Sequence, residues 1–447
     1  MKSRKLFSLT AGFLLASALP ASMQAQELAH RTDTPVIPES ASASNRIAAD
    51  FAALRDAAIA GDPAAQFTLA NHYYRGLGVP QDSDQALSLY RQAADQGFAA
   101  AQNRLGTMYE QGLGVPQSYG RAMTAYRMAA VQGHARAQYN LAMLYETGKG
   151  GRLDYSQALD WFRKAAEQGE AEAEEEIGYF CQRGFLGPRD YAQAREWYKR
   201  AAEHGSTNAQ NQLGYMSQLG LGVPEDYTQA LDWYYKAAER GNPNAQENIG
   251  YLYQHGLGVE TDYIEAQNWY YKSAGQGNSN AQNQLGYMSQ YGLGGDSDVS
   301  LALAWYRMAA EQGNKTAIEN LVSLTAKLKA VDPALWEAAN AAALQAADAQ
   351  ALRRKRIANL QKQITELELD ARQEDSLADD MARVPVSVAA PVSTAAAAKA
   401  ANPAAQLSAI TLHKDADRYR SEAARLRGEL AGLDTLSAAS SIASSAP

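Results

Sequence analysis

Cysteine occurs once in these 447 residues, at position 181, so no internal disulfide can form within the chain. Histidine is nearly as sparse. His30, His72, His134, His204, His255 and His413 are scattered, and no two stand at metal-ligand spacing. Apolar runs long enough to cross a bilayer are missing, since the longest, Leu6 to Leu19, is too short. Positive charge is not in excess either. The formal charge is −8, and Lys2, Arg4 and Lys5 sit in a stretch of 25 residues without acids, which leaves −11 for the remainder. A net acidic chain does not suit general nucleic-acid or anionic-lipid binding, which needs clustered positive charge.

What is present begins with MKSRKLFSLTAGFLLASALPASMQA. A basic start, an apolar run and small residues around Ala21 and Ala25 are the layout of a secretory signal peptide. Residues 1–25 are therefore expected to be removed, with Ala21 as the alternative cleavage point, and 26–45 to form a linker. No cysteine near that point can carry a lipid. The mature chain is expected to be exported, periplasmic or secreted, with no transmembrane segment.

The body of the chain restates itself. NAQNQLGYMSQ occupies both 208–218 and 280–290, and Gly97, Gly133, Gly169, Gly205, Gly241, Gly277 and Gly313 recur every 36 residues. Ala65, Ala101, Ala137, Ala173, Ala209, Ala245 and Ala281 keep the same step. Leu69, Leu105, Leu141, Ile177, Leu213, Ile249 and Leu285 follow four residues later, on the same helical face. Mid-unit turns such as QGLGVP (111–116) combine a left-handed cap glycine with a proline that stops the helix. A second helix such as ALDWYYKAAERG (230–241) then carries apolar residues at helical spacing. Neither helix pair can bury its apolar face alone, so the units must stack.

This pattern, A-x-x-x-L-G-x-M-Y-x-x-G-x-G-V followed by A-x-x-W-Y-x-x-A-A-x-x-G, resembles the Sel1-like repeat, a relative of the tetratricopeptide repeat. Seven units cover 62–313, and LGTMYEQGLGV (105–115) is nearly the family pattern itself. The resemblance implies an all-α fold, a right-handed α-solenoid of seven 36-residue helix-turn-helix repeats. Two turns depart from the pattern, GKGGRL (148–153) and GFLGPR (184–189), and the family's Tyr after Met becomes Cys181, Ser217 and Ser289. Capping helices are expected over 46–61 and 314–330, because a solenoid must hide its end faces.

Beyond the array, 331–383 is expected to form a long helix. Ile357, Leu360, Ile364 and Leu367 give it a coiled-coil-like seam of about two heptads. An Ala/Pro linker (384–408), a second helix (409–436) bearing Tyr419, Ala423, Leu426 and Leu430, and a Ser/Ala-rich tail (437–447) follow. The two helical segments suit either an antiparallel hairpin or self-association.

Catalytic chemistry finds little footing. ETGKGG (146–151) lacks the phosphate-loop spacing, and its glycines are those of the repeat's own turn. Cys181 reads as a buried inert thiol, the run Glu172, Glu174, Glu175 and Glu176 as a solvated face, and RRKR (353–356) as the polar side of its helix. No cofactor or metal is expected, and the chain is read as no enzyme. The Trp series Trp161, Trp197, Trp233, Trp269 and Trp305 reads as core. Some cysteine-rich relatives bind or cleave β-lactams, but their cysteines are missing here.

The Ala–Leu ridge and the turn glycines do not account for one stripe of the first helices. Asn208, Gln212 and Tyr215 sit at i, i+4 and i+7, and recur as Asn244, Asn248 and Tyr251 and as Asn280, Gln284 and Tyr287. The stripe continues as Leu219, His255 and Tyr291, and Tyr179 keeps the aromatic in unit four. In related helical repeats the first helices line the concave face. The resemblance therefore implies a groove whose carboxamides pair with peptide backbone and whose rings offer rigid apolar area. A protein or peptide partner is expected, in envelope assembly, regulation of envelope enzymes or host contact. Peptidoglycan or another glycan is the alternative partner, and packing of the rings between units and recent duplication without function are the competing explanations.

Overall fold

The computed structural model describes residues 51–383 and 413–430. The expected signal peptide, the 26–45 linker, the 384–408 linker and the terminal tail lie outside the described residues. From Ala52 onward the described chain belongs to one compact unit. It is helical throughout, with no strand among the described residues.

Helix α1 is seen over 51–59. Unit one is α2 (Pro63–Arg75) and α3 (Ser83–Asp95), unit two α4 (Ala99–Gln111) and α5 (Tyr119–Ala130), unit three α6 (Ala135–Thr147) and α7 (Tyr155–Ala166). Unit four is α8 (Ala171–Arg183) and α9 (Tyr191–Glu203), and unit five is α10 (Thr207–Gln218) and α11 (Tyr227–Glu239). Units six and seven are α12 (Pro243–His255) with α13 (Tyr263–Gly275) and α14 (Ser279–Tyr291) with α15 (Val299–Glu311). Then come α16 (Lys315–Val331), α17 (Pro333–Arg383) and α18, described over 413–430.

The unit boundaries follow from local chemistry. Gly112 ends α4 at φ 74°, and its N–H and that of Leu113 both return to the Met108 carbonyl, which satisfies the last carbonyls as a left-handed cap does. The N–H of Ser118 bonds the Tyr109 carbonyl at 2.8 Å, and its side chain caps α5. Asp82, Asp154, Asp190, Asp226, Asp262 and Asp298 cap the other second helices. The two departing turns keep the essential feature, with Gly148 at φ 68° and Gly184 at φ 70°.

Each pair closes around one ring. Tyr90, Tyr126, Tyr198, Tyr234, Tyr270 and Tyr306 are fully buried, with Phe162 in their place in unit three. Burial of a side chain of this size stabilises by roughly 1.5–3 kcal/mol. From unit four onward the hydroxyl donates to the glutamine 16 residues back: Gln182, Gln218, Gln254 and Gln290, at 2.7–2.9 Å. The helical glycine of the repeat exists for this ring, since a Cβ at Gly214 would lie 2.6 Å from Tyr234. The Trp side chains pack outside these rings. Trp269 and Trp305 are buried and the others half-buried, several beneath a cation three residues on, as Lys236 is over Trp233 at 4.1 Å.

Glutamines join unit to unit. Gln102 donates to the Ala94 carbonyl of the preceding unit and accepts from Gln132 at 2.7 Å, and Gln66, Gln138, Gln246 and Gln282 do the same. Unit four differs. Glu174 takes the glutamine position, is wholly buried and meets His204 Nδ1 at 2.7 Å, with Arg200 Nη2 2.9 Å from its other oxygen. The run expected to be a solvated face is thus partly core, because Glu174 points along the buried side of α8. His72, expected among scattered surface histidines, is also buried.

The tail folds back. Leu360 and Ile364 pack on Ala423 and Leu426, with Leu367 and Leu430 at the edge, so the seam closes on α18 as an antiparallel hairpin. Arg356–Glu429, Arg427–Glu368 and Arg420–Asp375 ion pairs flank it. Helix α17 is about 75 Å long at its 51 residues. It begins against α15 and α16, reaches Gln276 through Gln361, and ends on α2 of unit one. A single helix thus touches both ends of the array.

Candidate partner-binding surface

The stripe is exposed because of how its helix packs. On α10, Ala209, Leu213, Gly214, Met216 and Ser217 face the core, which turns Asn208, Gln212, Tyr215 and Leu219 the other way. Tyr215 and Tyr287 are 40% exposed, Leu219 46% and Tyr291 55%. Tyr179 and Tyr251 are half-buried, Gln212, Asn248 and Gln284 likewise, and Asn208, Asn244, Asn280 and His255 are exposed. The rings pair along their own helix. Tyr251 and His255 have centroids 4.3 Å apart, Tyr287 and Tyr291 4.7 Å apart.

The carboxamides bond between units. Asn208 accepts from Asn242 Nδ2 at 3.0 Å, Asn244 from Asn278 at 3.3 Å and Asn280 from Asn314 at 3.0 Å. Each of those donors also caps its own helix with Oδ1. Asn serves there because it caps with one atom and reaches back with the other, as Asp cannot. Asn248 donates to Asn211 at 3.0 Å. These side chains are held in place by the stack, while the tyrosines keep large exposed faces.

Units four and five share a cleft of about 300 Å³ lined by Tyr179, Gln182, Arg183, Asn211, Gln212 and Tyr215. It brings three expected residues together and adds three the sequence reading missed. Arg183 lies 5.7 Å over the Tyr179 ring, and Tyr179 stands edge-on to Phe185. The stripe takes only i, i+4 and i+7, so Gln182 and Arg183 beside Tyr179 on α8 and Asn211 beside Gln212 on α10, which flank it on the same helices, fall outside it. A wider cleft of about 460 Å³ lies elsewhere, between Gln193, Arg195, Glu196 and Lys199 of α9 and the turn at Gly222. It holds no stripe residue, and its buried Arg195 is taken up by Ser217 and Gln229.

Acids near the stripe are held partly protonated. Burial, reinforced by Glu146 and Glu175, pushes Glu176 up to about 8, and burial alone pushes Glu247 up to about 7. Cys181 is half-buried and donates to Gln193 Oε1 at 3.0 Å, and burial raises its thiol pKa, the opposite of what a nucleophile needs. Among the described residues no group of three or more His, Cys, Asp or Glu is placed to hold a metal ion. Nor is any of their helices long and apolar enough to cross a membrane.

The Sel1 repeat model matches seven successive segments, 63–98, 99–134, 135–170, 171–206, 207–242, 243–278 and 279–314. None of the curated proteins matches the chain. Among solved structures, c5321, a protective antigen of uropathogenic Escherichia coli strains displaying an SLR fold, is 34% identical with a TM-score of 0.55. That likeness covers 74% of this chain and 70% of that one. A Sel1 repeat protein from Oxalobacter formigenes is 35% identical with a TM-score of 0.52, over 55% of this chain and 99% of that one.

Proposed function

From the chain's membership of the Sel1-repeat family, whose members are generally protein-interaction scaffolds, we propose that it is a non-enzymatic exported scaffold holding a peptide segment on the stripe of units four to seven. The observation that carries this is the row of exposed rings, Tyr215, Tyr287 and Tyr291, beside a polar cleft. Rigid aromatic faces with few rotatable bonds lose little entropy on binding. The amides pinned between units hold the neighbouring surface in one shape, which reduces the ordering cost further. Export is supported by the leader-like first 25 residues, and the E. coli relative, a protective antigen, fits an envelope or extracellular setting. The role we propose is assembly of an envelope complex or regulation of an envelope enzyme.

The test is a pull-down from envelope extract with the wild-type chain and with the Tyr215→Ala, Tyr251→Ala, Tyr287→Ala triple variant as baits. A protein held by the first and lost from the second supports the reading. Recovery of the same proteins by both, with equal thermal stability, refutes it. Co-sedimentation of the wild-type chain with purified peptidoglycan, lost in the triple variant, would instead assign the rings to glycan.

A further inference from the structure

Unit one departs from its six successors on one face. Where they carry Thr107, Met143, Tyr179, Tyr215, Tyr251 and Tyr287 it has Asn71, and one turn on it has Arg75, an arginine that only unit four repeats there, as Arg183. His72 stands where they bury Met108, Leu144, Phe180, Met216, Leu252 and Met288, yet it too is buried. A polar ring in a core position weakens the stack unless something outside the stack pairs with it. Something does.

Asn71 Nδ2 donates to Glu374 Oε1 at 2.7 Å, and His72 Nε2 lies 3.1 Å from Asp415 Oδ2. Arg75 pairs with Asp370 and sits 4.8 Å over the ring of Tyr419. Leu77, on the turn after α2, packs with Ala371, Ala416 and Tyr419. Even the core responds: Tyr90 donates its hydroxyl to Asn71 Oδ1 at 2.5 Å instead of to a residue 16 places back, as the later units do. Asp370 and Glu374 are one helical turn apart, so a single helix delivers both carboxylates to α2.

This contact is built unlike the rest of the molecule. Between units the buried surfaces are mainly Ala, Leu, Met and Tyr around a single polar joint, whereas here they are mostly charged or polar. Glu374 is 3% exposed and its Oε2 has no hydrogen-bond partner. A buried, half-satisfied carboxylate subtracts from docking strength while keeping its specificity. Polar interfaces of this kind within a chain open and close more readily than apolar ones.

We propose that this face of unit one is a docking surface for an acidic amphipathic helix, and that the tail hairpin is its displaceable occupant. A partner helix with two carboxylates one turn apart competes for Asn71 and Arg75. The surface shares no residue with the stripe of units four to seven, so it stands or falls separately from the reading above.

The test uses the full chain with its tail disarmed by Asp370→Ala, Glu374→Ala and Asp415→Ala, and a fluorescein-labelled peptide of residues 356–430 as probe. By anisotropy the peptide is expected to bind the disarmed chain roughly tenfold or more tightly than the wild-type chain, whose own tail occupies the site. Adding Arg75→Ala to the disarmed chain should remove that binding, and adding Tyr215→Ala should not. Equal affinity for wild-type and disarmed chains, or binding that survives Arg75→Ala, overturns the proposal. So does absence of binding when the disarmed chain melts at the wild-type temperature. If it melts early, the single Asp370→Ala chain takes its place in the same titration.

Discussion

Exchanging Glu174 and His204 together for glutamine should restore to unit four the joint that five other units use. In those units a buried glutamine donates its Nε2 to a carbonyl eight residues back, in the preceding element, and accepts at Oε1 from the glutamine 30 residues on, at the end of its own unit. Glu174 cannot donate, and the orphaned carbonyl of Ala166 is served instead by Arg200 Nη2 at 3.4 Å. Unit five shows the cost of a half-made joint. Its Arg240 turns to the Gly205 carbonyl, and Gln210 Oε1 is buried without a partner. Glu174→Ala removes contacts to Arg200 and His204, but both are about half exposed, so solvent takes up much of the loss and roughly 1–2 kcal/mol remains. Glu174→Gln or His204→Gln alone should each cost less than about 1 kcal/mol, since one partner still fits. The double change should lie within about 0.5 kcal/mol of wild type, giving a favourable coupling in the cycle. Urea midpoints followed by far-UV circular dichroism measure it. If the double variant loses the sum of the single losses or more, the joint is not interchangeable and the reasoning fails.

Two further outcomes follow. Gly214→Ala places a Cβ 2.6 Å from the buried Tyr234 ring; overpacking of about 1–3 kcal/mol should exceed the roughly 1 kcal/mol gain in helix propensity, so the urea midpoint falls, and a rise would refute the role given to that glycine. Docking of the tail should weaken with rising pH. Burial and then Asp415 push Glu374 from 4.5 up to about 8, against Asn71, Arg75 and Arg104, so its contribution is complete below 4.5 and lost as pH rises through about 8. His72 adds in the same direction above 6.5: burial lowers its pKa, but Asp415 and the Leu77 carbonyl together raise it further. Amide exchange in α17 near 370, corrected for intrinsic rate, should be faster at pH 9 than at pH 6, and Glu374→Gln should flatten the difference; protection that grows with pH would contradict the sign.

The array was legible because its determinants are local and repeated. A 36-residue step, an Ala–Leu ridge and a cap glycine in each unit leave one way to stack. The stripe was legible for the same reason, as three positions on one helical face. What the repeat could not reveal lay in its exceptions. His72 reads as one scattered histidine until its position is compared with Met108 and Leu144, and its partner Asp415 is 343 residues away. Glu174 reads as one of four acids, and periodicity alone does not tell which one faces inward when the helix has a half-buried flank. The roles of Gln66, Gln102 and Gln138 also escaped, since a buried amide and a solvated one look alike in sequence.

The distinction between packing tyrosines and stripe tyrosines decides what the triple variant can mean. Tyr234 and Tyr270 are fully buried, hydrogen-bonded and matched to Gly214 and Gly250, so the stack depends on them. Tyr215 and Tyr287 are 40% exposed and face away from the Ala–Leu ridge. Units one to three fold into the same helix pair with Asn71, Thr107 and Met143 at that position, so the fold does not require a ring there. Tyr251 is half-buried beside the unit-six core, so the triple variant takes away mostly surface, with part of one ring's core contact and none of the fully buried rings that hold the pairs together. Inter-repeat packing as the reason for the stripe predicts a large fall in stability from the triple variant, and binding predicts a small one. The melting temperature therefore separates the two explanations before any partner is in hand.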